Sequence, residues 1–222
     1  MKYLNRKIFI WLLISFSVVF YLVHLLVFPI TEKTLLNYLK PVTTVITLDT
    51  IAVFLFEKWI WKWKILYNWL VPFPNLNGTW KGVIDTNWLI NKKRGEKPDH
   101  IPVILTIKQS FTNISCVMRT REMTSYSFMS GFVIDKENQI LKLVYSYNSI
   151  PKQTVKERSS QHFGTMCFDV INNSESKELS GSYWTERNTT GNVELKFWKN
   201  EHLEKYPEEL GEHPVTKIWK NE

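Results

Sequence analysis

Residues 8–28, IFIWLLISFSVVFYLVHLLVF, hold no Lys, Arg, Asp or Glu at any of 21 positions. That matches the roughly 20 residues an α-helix needs to cross about 30 Å of hydrocarbon. No small-residue cleavage site follows, Phe28-Pro29-Ile30 being a poor one, so the segment reads as a retained helix and not a removed signal. A second apolar run, Pro41 to Trp61, follows after 12 residues. Residues 1–71 therefore read as a membrane hairpin with spans at about 8–28 and 41–61. Residues 72–76, with Pro72-Phe73-Pro74, form a stiff linker.

The second span is less clean. Thr43, Thr44, Thr47 and Thr50 are tolerable because their hydroxyls bond back to helix carbonyls. Asp49 is costly: an ionised Asp at the bilayer centre is unfavourable by roughly 2.5–3.5 kcal/mol on insertion scales. It needs a partner or a neutral form, and His24 on the first span is within reach. Polar side chains hold membrane helices together, so Asp49 and His24 are assigned to membrane assembly. The contact is either internal to the hairpin or between protomers, and a pore-lining place for Asp49 is a third reading.

Lys2, Arg6 and Lys7 precede the first span, and Lys58, Lys62 and Lys64 follow or end the second. Only Lys33 and Lys40 lie between, so the positive-inside rule puts both termini in the cytoplasm. Trp59, Trp61, Trp63 and Trp69 suit an interfacial belt. Residues 1–74 carry 8 Lys and Arg against 3 Asp and Glu, while residues 75–222 carry 20 against 18. The basic excess is thus juxtamembrane, and no duplex-nucleic-acid face is indicated.

From Asn77 the pattern changes to short alternating runs between turn-rich stretches. Eight strands are expected, at about 78–88, 101–109, 112–122, 124–135, 139–148, 161–171, 178–187 and 191–199. The loops include Lys92-Lys93-Arg94-Gly95, Asp135-Lys136-Glu137-Asn138, Ser149-Ile150-Pro151 and Asn172-Asn173-Ser174. Eight consecutive hairpin-linked strands close most simply as an antiparallel up-and-down β-barrel, which removes exposed edges. Its interior is wide enough for one small ligand; an open sandwich is the alternative. The barrel spans residues 77–199, with a tail at 200–222.

Alternation assigns the inward faces. Trp80, Gly82, Ile84, Thr86 and Trp88 share one face, as do Leu141, Leu143, Tyr145 and Tyr147. Leu179, Gly181, Tyr183, Thr185 and Arg187 share another, and Val193, Leu195 and Phe197 a fourth. Each face runs from an apolar end toward Tyr, Thr and Arg. A mouth receiving an anionic, aromatic ligand uses such an Arg, which donates bidentate bonds to phosphate and stacks on bases. The plainer reading is that Arg187 leaves the barrel for solvent. The candidate ligand-binding residues are Tyr183, Thr185, Arg187, Asn188, Thr189, Tyr145, Tyr147 and Trp80. Arg119 and Arg121 are a second anion candidate, or else a solvated outer face.

Cys116 and Cys167 read as two buried thiols, and their proximity is not fixed by the sequence. No metal-ligand spacing, nucleophile elbow or P-loop is present, so neither cofactor nor catalysis is expected.

Two N-terminal spans, a Pro-containing joint, Leu76-Asn77-Gly78-Thr79-Trp80-Lys81-Gly82 opening a β domain, and Leu179-Ser180-Gly181-Ser182-Tyr183-Trp184-Thr185-Glu186-Arg187 through Gly191 resemble one family. It is the two-transmembrane, β-strand-rich effectors of CBASS anti-phage systems, the CD-NTase-associated membrane effectors. The resemblance reaches about residue 199. It implies a cyclic di- or trinucleotide messenger made by a cognate CD-NTase and bound at the barrel mouth. It further implies homo-oligomerisation, disruption of the cell inner membrane and death of the infected cell. It assigns the tail no role. A membrane-tethered, lipocalin-like carrier of a lipid or other apolar ligand is the competing reading.

Overall fold

The computed structural model describes residues 6–28, 34–90, 95–172 and 177–220. The readings made on Lys2, Lys33, Lys92 to Arg94, Asn173 and Ser174 lie outside the described residues. The chain divides into two compact units, Met1–Pro74 with Ser110–Thr112, and Asn75–Gln109 with Asn113–Glu222.

The first unit contains α1 (Arg6–Val27) and α2 (Leu35–Lys58), both long and apolar enough to cross a membrane. They run antiparallel: Phe9 packs on Phe56 with centroids 5.4 Å apart, and the Tyr21 hydroxyl donates to Tyr38 O at 3.4 Å. α2 starts six residues before Pro41, which lies inside the helix. Proline removes only its own N–H, and the flanking Leu and Lys are good helix formers that carry the helix through it. After Lys58 the chain tightens into short 3-10 turns at Ile60–Lys62 and Lys64–Leu66. Phe56, Trp61, Leu70, Val71 and Phe111 form the buried cluster of this unit. Trp59, Trp63 and Trp69 stay exposed.

The second unit is a closed antiparallel barrel in which every strand pairs with its sequence neighbours and β8 closes on β1. The strands are β1 (Gly78–Thr86), β2 (Ile101–Gln109), β3 (Ile114–Arg119), β4 (Met123–Asp135), β5 (Ile140–Pro151), β6 (His162–Asn172), β7 (Lys177–Thr185) and β8 (Thr190–Lys199). A seven-residue helix, α3 (Pro214–Lys220), lies in the tail. Alternation sets which side chains enter: Leu105, Ile107, Leu143, Phe168, Leu179, Val193 and Leu195 are fully buried.

Two departures from simple alternation have physical causes. β4 carries a bulge between Ser127 and Met129, so Phe128 and Met129 both point outward. β2 is buried on both faces over Val103–Ile107, where the tail reaches it: outward Thr106 donates to Leu203 O. Ser149 to Pro151, expected as loop, completes β5.

One end of the barrel is sealed. Trp80 is 1% exposed, donates its indole N–H to Leu76 O at 3.0 Å and meets Phe197 edge-on at 5.4 Å. Gln109 Oε1 accepts from Leu76 N at 2.7 Å, tying the barrel's first residues across that end.

Candidate functional site

In an up-and-down barrel the hairpins alternate between the two ends. The connections β1–β2, β3–β4, β5–β6 and β7–β8 therefore share the end opposite Trp80. That end holds a cavity of about 160 Å³. Its floor is Ile84, Ile101, Met118 and Met166; its walls carry Tyr147, Tyr183 and Trp88. Thr86, Ser125, Ser149, Thr185 and Thr189 supply hydroxyls, and Arg158, Arg187, His162, His213 and Glu122 supply charged and imidazole groups.

Alternation turns both tyrosines inward, and their rings fit because their cross-strand partners are glycines. Tyr147 pairs with Gly164 and Tyr183 with Gly191. A Cβ on Gly164 would lie 2.5 Å from Tyr147 Oη, and one on Gly191 2.7 Å from Tyr183 Cε1. Each glycine thus clears the volume one ring occupies. Burial pushes both phenols up from their ordinary value, so both are neutral donors at physiological pH.

Arg187 leaves β7 just past its end and bends over the rim. Its Nη1 donates to Ser160 O at 3.3 Å and Ser159 Oγ at 3.4 Å. Burial lowers its pKa, while Tyr147, Tyr183 and Glu186 oppose that shift. Glu186 points away: its Oε1 accepts from Phe163 N at 2.9 Å. Asn188 holds the hairpin turn at φ 59° and does not line the cavity; Thr185 and Thr189 hydroxyls meet at 2.7 Å and do.

Of the eight residues singled out from sequence, Tyr147, Tyr183, Thr185, Arg187 and Thr189 converge on this cavity. Trp80 does not, because it seals the far end. Tyr145 does not line it either: it is 1% exposed in the core, beside Tyr147 and Phe168, with its hydroxyl lacking a hydrogen-bond partner. Arg119 and Arg121 lie on the outer wall, where Arg119 Nη1 donates to Leu203 O at 3.3 Å and Arg121 approaches Glu208 at 3.9 Å. Cys116 faces inward, its thiol pushed up by burial, while Cys167 alternates with inward Met166 and Phe168 and faces out, so the wall separates them.

Arg158, Ser159 and His162 escaped sequence reading. Arg158 and Ser159 belong to the β5–β6 connection, which contains a 3-10 turn at Gln153–Val155, and His162 opens β6. The signal was topological: the alternation of hairpin ends places this connection beside the Arg187 hairpin. Burial lowers the His162 pKa, and Arg187 adds to that, while Ser160 O and Glu186 oppose it. Arg158 donates to the Glu122 carboxylate in a close ion pair, with side-chain exposures of 19% and 10%. No group of three or more metal-ligating side chains occurs among the described residues. Chemically the cavity offers aromatic faces, neutral hydroxyls and two guanidinium groups, that of Arg158 already paired with Glu122.

In unit one, Asp49 takes Ser17 as partner: Ser17 Oγ donates to Asp49 Oδ2 at 2.6 Å. His24 instead packs its ring against Phe28, centroids 5.1 Å apart, with Nδ1 buried and without a hydrogen-bond partner.

Residues 71–197 match the family model described as Cap15, cyclic dinucleotide receptor domain. A CD-NTase-associated protein 15 of Staphylococcus schleiferi is 26% identical over 193 residues, covering 87% of this chain and 95% of the relative. Another of that name, from Escherichia albertii, is 29% identical over 164 residues, covering 71% of this chain and 80% of the relative.

Proposed function

The chain belongs to the Cap15 cyclic dinucleotide receptor family, and from that membership we propose that its barrel senses a cyclic nucleotide for a CBASS membrane effector. The observation that carries this reading is the cavity itself, with Tyr147, Tyr183 and Trp88 on its walls and Arg158 and Arg187 at its rim. A cyclic dinucleotide presents two bases and two phosphates. Aromatic faces stack bases for roughly 1–3 kcal/mol each. A guanidinium matches a phosphate with paired, charge-assisted bonds. The threonine and serine hydroxyls of the lining suit base edges and ribose once they exchange their present partners. A carrier of an apolar lipid has no use for two rim arginines.

The messenger is supplied by a cognate CD-NTase. α1 and α2 anchor the protein in the inner membrane with both termini cytoplasmic, so the barrel samples the compartment where the messenger appears. Ligand promotes self-assembly only by binding the assembled state more tightly than the resting one. Assembly in the bilayer runs through the polar stripe of α2, with Asp49 at its centre and His24 on α1. The assembled helices then breach the membrane and kill the infected cell.

The test is calorimetry of the full chain in lipid nanodiscs against a panel of purine and pyrimidine cyclic di- and trinucleotides. Micromolar or tighter binding of one member, lost in Arg187→Ala, supports the reading. Indifference of a folded chain to the whole panel refutes it and favours the lipid carrier.

A further inference from the structure

The tail after β8 is fixed to the barrel at points between Glu201 and Thr216. It starts at the sealed end and runs up the outer wall of β1, β2 and β3. Thr79 Oγ1 donates to Glu201 O at 2.6 Å and accepts from Leu203 N at 3.0 Å. Thr106 Oγ1 donates to Leu203 O at 2.8 Å. The strap passes Arg121 through Glu208 and then crosses the rim. There His213, just before α3, and Val215, in its first turn, line the cavity, 8% and 2% exposed.

The rim contact is polar and closed on itself. Glu122, 8% exposed, accepts from Arg158 and from the Thr216 hydroxyl; Arg158 Nη2 also donates to Thr216 Oγ1 at 2.9 Å. His213 Nδ1 lies 3.3 Å from the Glu122 carboxylate. One of the two guanidinium groups at the mouth is therefore already neutralised by a carboxylate and held by the tail.

The remaining space is too small for the proposed ligand. About 160 Å³ is open, whereas pockets that bury drug-sized ligands hold roughly 300–1,000 Å³. A buried carboxylate at the rim also repels a phosphodiester unless Arg158 changes partner.

We infer that residues 213–216 are a built-in competitor of the ligand: Val215 and His213 fill the space for a base, and Glu122 with Thr216 holds Arg158 in place of a phosphate. This rests on the proposed sensing of a cyclic dinucleotide by the same cavity. Ligand entering the barrel displaces α3 from the rim and takes over Arg158. Because binding is possible only from the unplugged population, apparent affinity is reduced by that fraction. The tail thus sets the messenger concentration at which the protein responds.

The experiment compares three full-length or near-full-length proteins in nanodiscs, titrated calorimetrically with the cyclic dinucleotide panel. They are the intact chain, a chain ending at Gly211, and intact chain carrying Val215→Asp, whose carboxylate is costly to keep at so buried a position. Circular dichroism checks that each barrel is folded, and Val215→Asp serves if the shortened chain is not. At least a tenfold lower Kd in the altered chains, or binding seen only in them, is expected. Equal or weaker binding than the intact chain overturns the plug and leaves the sensing function standing. No binding of any panel member by a folded, unplugged chain overturns both.

Discussion

The Tyr183 hydroxyl donates a 2.8 Å hydrogen bond to Thr86 Oγ1, joining β7 to β1 across the intervening β8 at the cavity mouth. The bond passes over Gly191, the β8 residue paired with Tyr183. Removing the hydroxyl costs only a typical hydrogen bond, about 0.5–1.5 kcal/mol. Adding a methyl beneath the ring is worse. A Cβ at Gly191 would crowd Tyr183 Cε1 at 2.7 Å and meet the Asp85 carbonyl closer still, and backbone does not yield easily. Chemical denaturation should rank Gly191→Ala below Tyr183→Phe in stability, with the former losing about 1–3 kcal/mol as expected for overpacking. The reverse order would mean the ring is not seated on this glycine.

Among the described residues Arg187 bonds a hydroxyl and a carbonyl of the β5–β6 connection, both at long range. Its loss should therefore leave the melting temperature nearly unchanged. Binding is another matter: a charge-assisted phosphate bond is worth about 1.5–3 kcal/mol, or tenfold and upward in Kd. Arg187→Ala should weaken cyclic-nucleotide binding at least tenfold by calorimetry, and Arg187→Lys should recover part of it, since lysine keeps the charge without the planar fork. Unchanged affinity in Arg187→Ala would move the phosphate site to Arg158 alone.

Asp49 is satisfied on one oxygen by Ser17, while its Oδ1 is buried without a hydrogen-bond partner. That leaves acceptor capacity for a second protomer inside the bilayer. Asp49→Ala should bind ligand as the parent does but fail to release dye from lipid vesicles when ligand is added. Asp49→Asn, which keeps the acceptor, should retain part of the release. Full leakage by Asp49→Ala would remove this residue from assembly.

Strand number, closure and inward faces were legible because period-two alternation and turn residues are local signals. Leu179 to Arg187 carried the polar gradient that marks the mouth. Arg158 and His213 were not legible. Arg158 sits in a connection whose side chains obey no period, and His213 lies in a tail whose path is set by Thr79 and Thr106, 122 and 97 residues from the tail residues they hold. Trp80 was misplaced because alternation assigns a face but not a height along the barrel axis, and only the Leu76 and Phe197 contacts fix that height. The β4 bulge escaped for a similar reason, since Phe128 and Met129 are ordinary strand residues with no mark of a shifted parity.

His162 and His213 make the barrel's stability depend on pH. Burial lowers both below the ordinary value of 6.5, with Arg187 reinforcing the shift at His162 and Arg158 at His213, against Glu186 and Glu122. The unfolded chain therefore takes up protons first as pH falls. Stability rises with pH wherever the unfolded state holds more protons, so the contribution is complete above about pH 7 and drains away as pH drops through 6.5 and toward the folded values. The urea midpoint should fall between about pH 7.5 and pH 5.5, above the range where ordinary carboxylates titrate. The double variant His162→Gln, His213→Gln should show a flatter profile over that window, even if its midpoint at pH 7.5 is lower. A variant slope equal to the parent's would show that other groups carry the pH dependence.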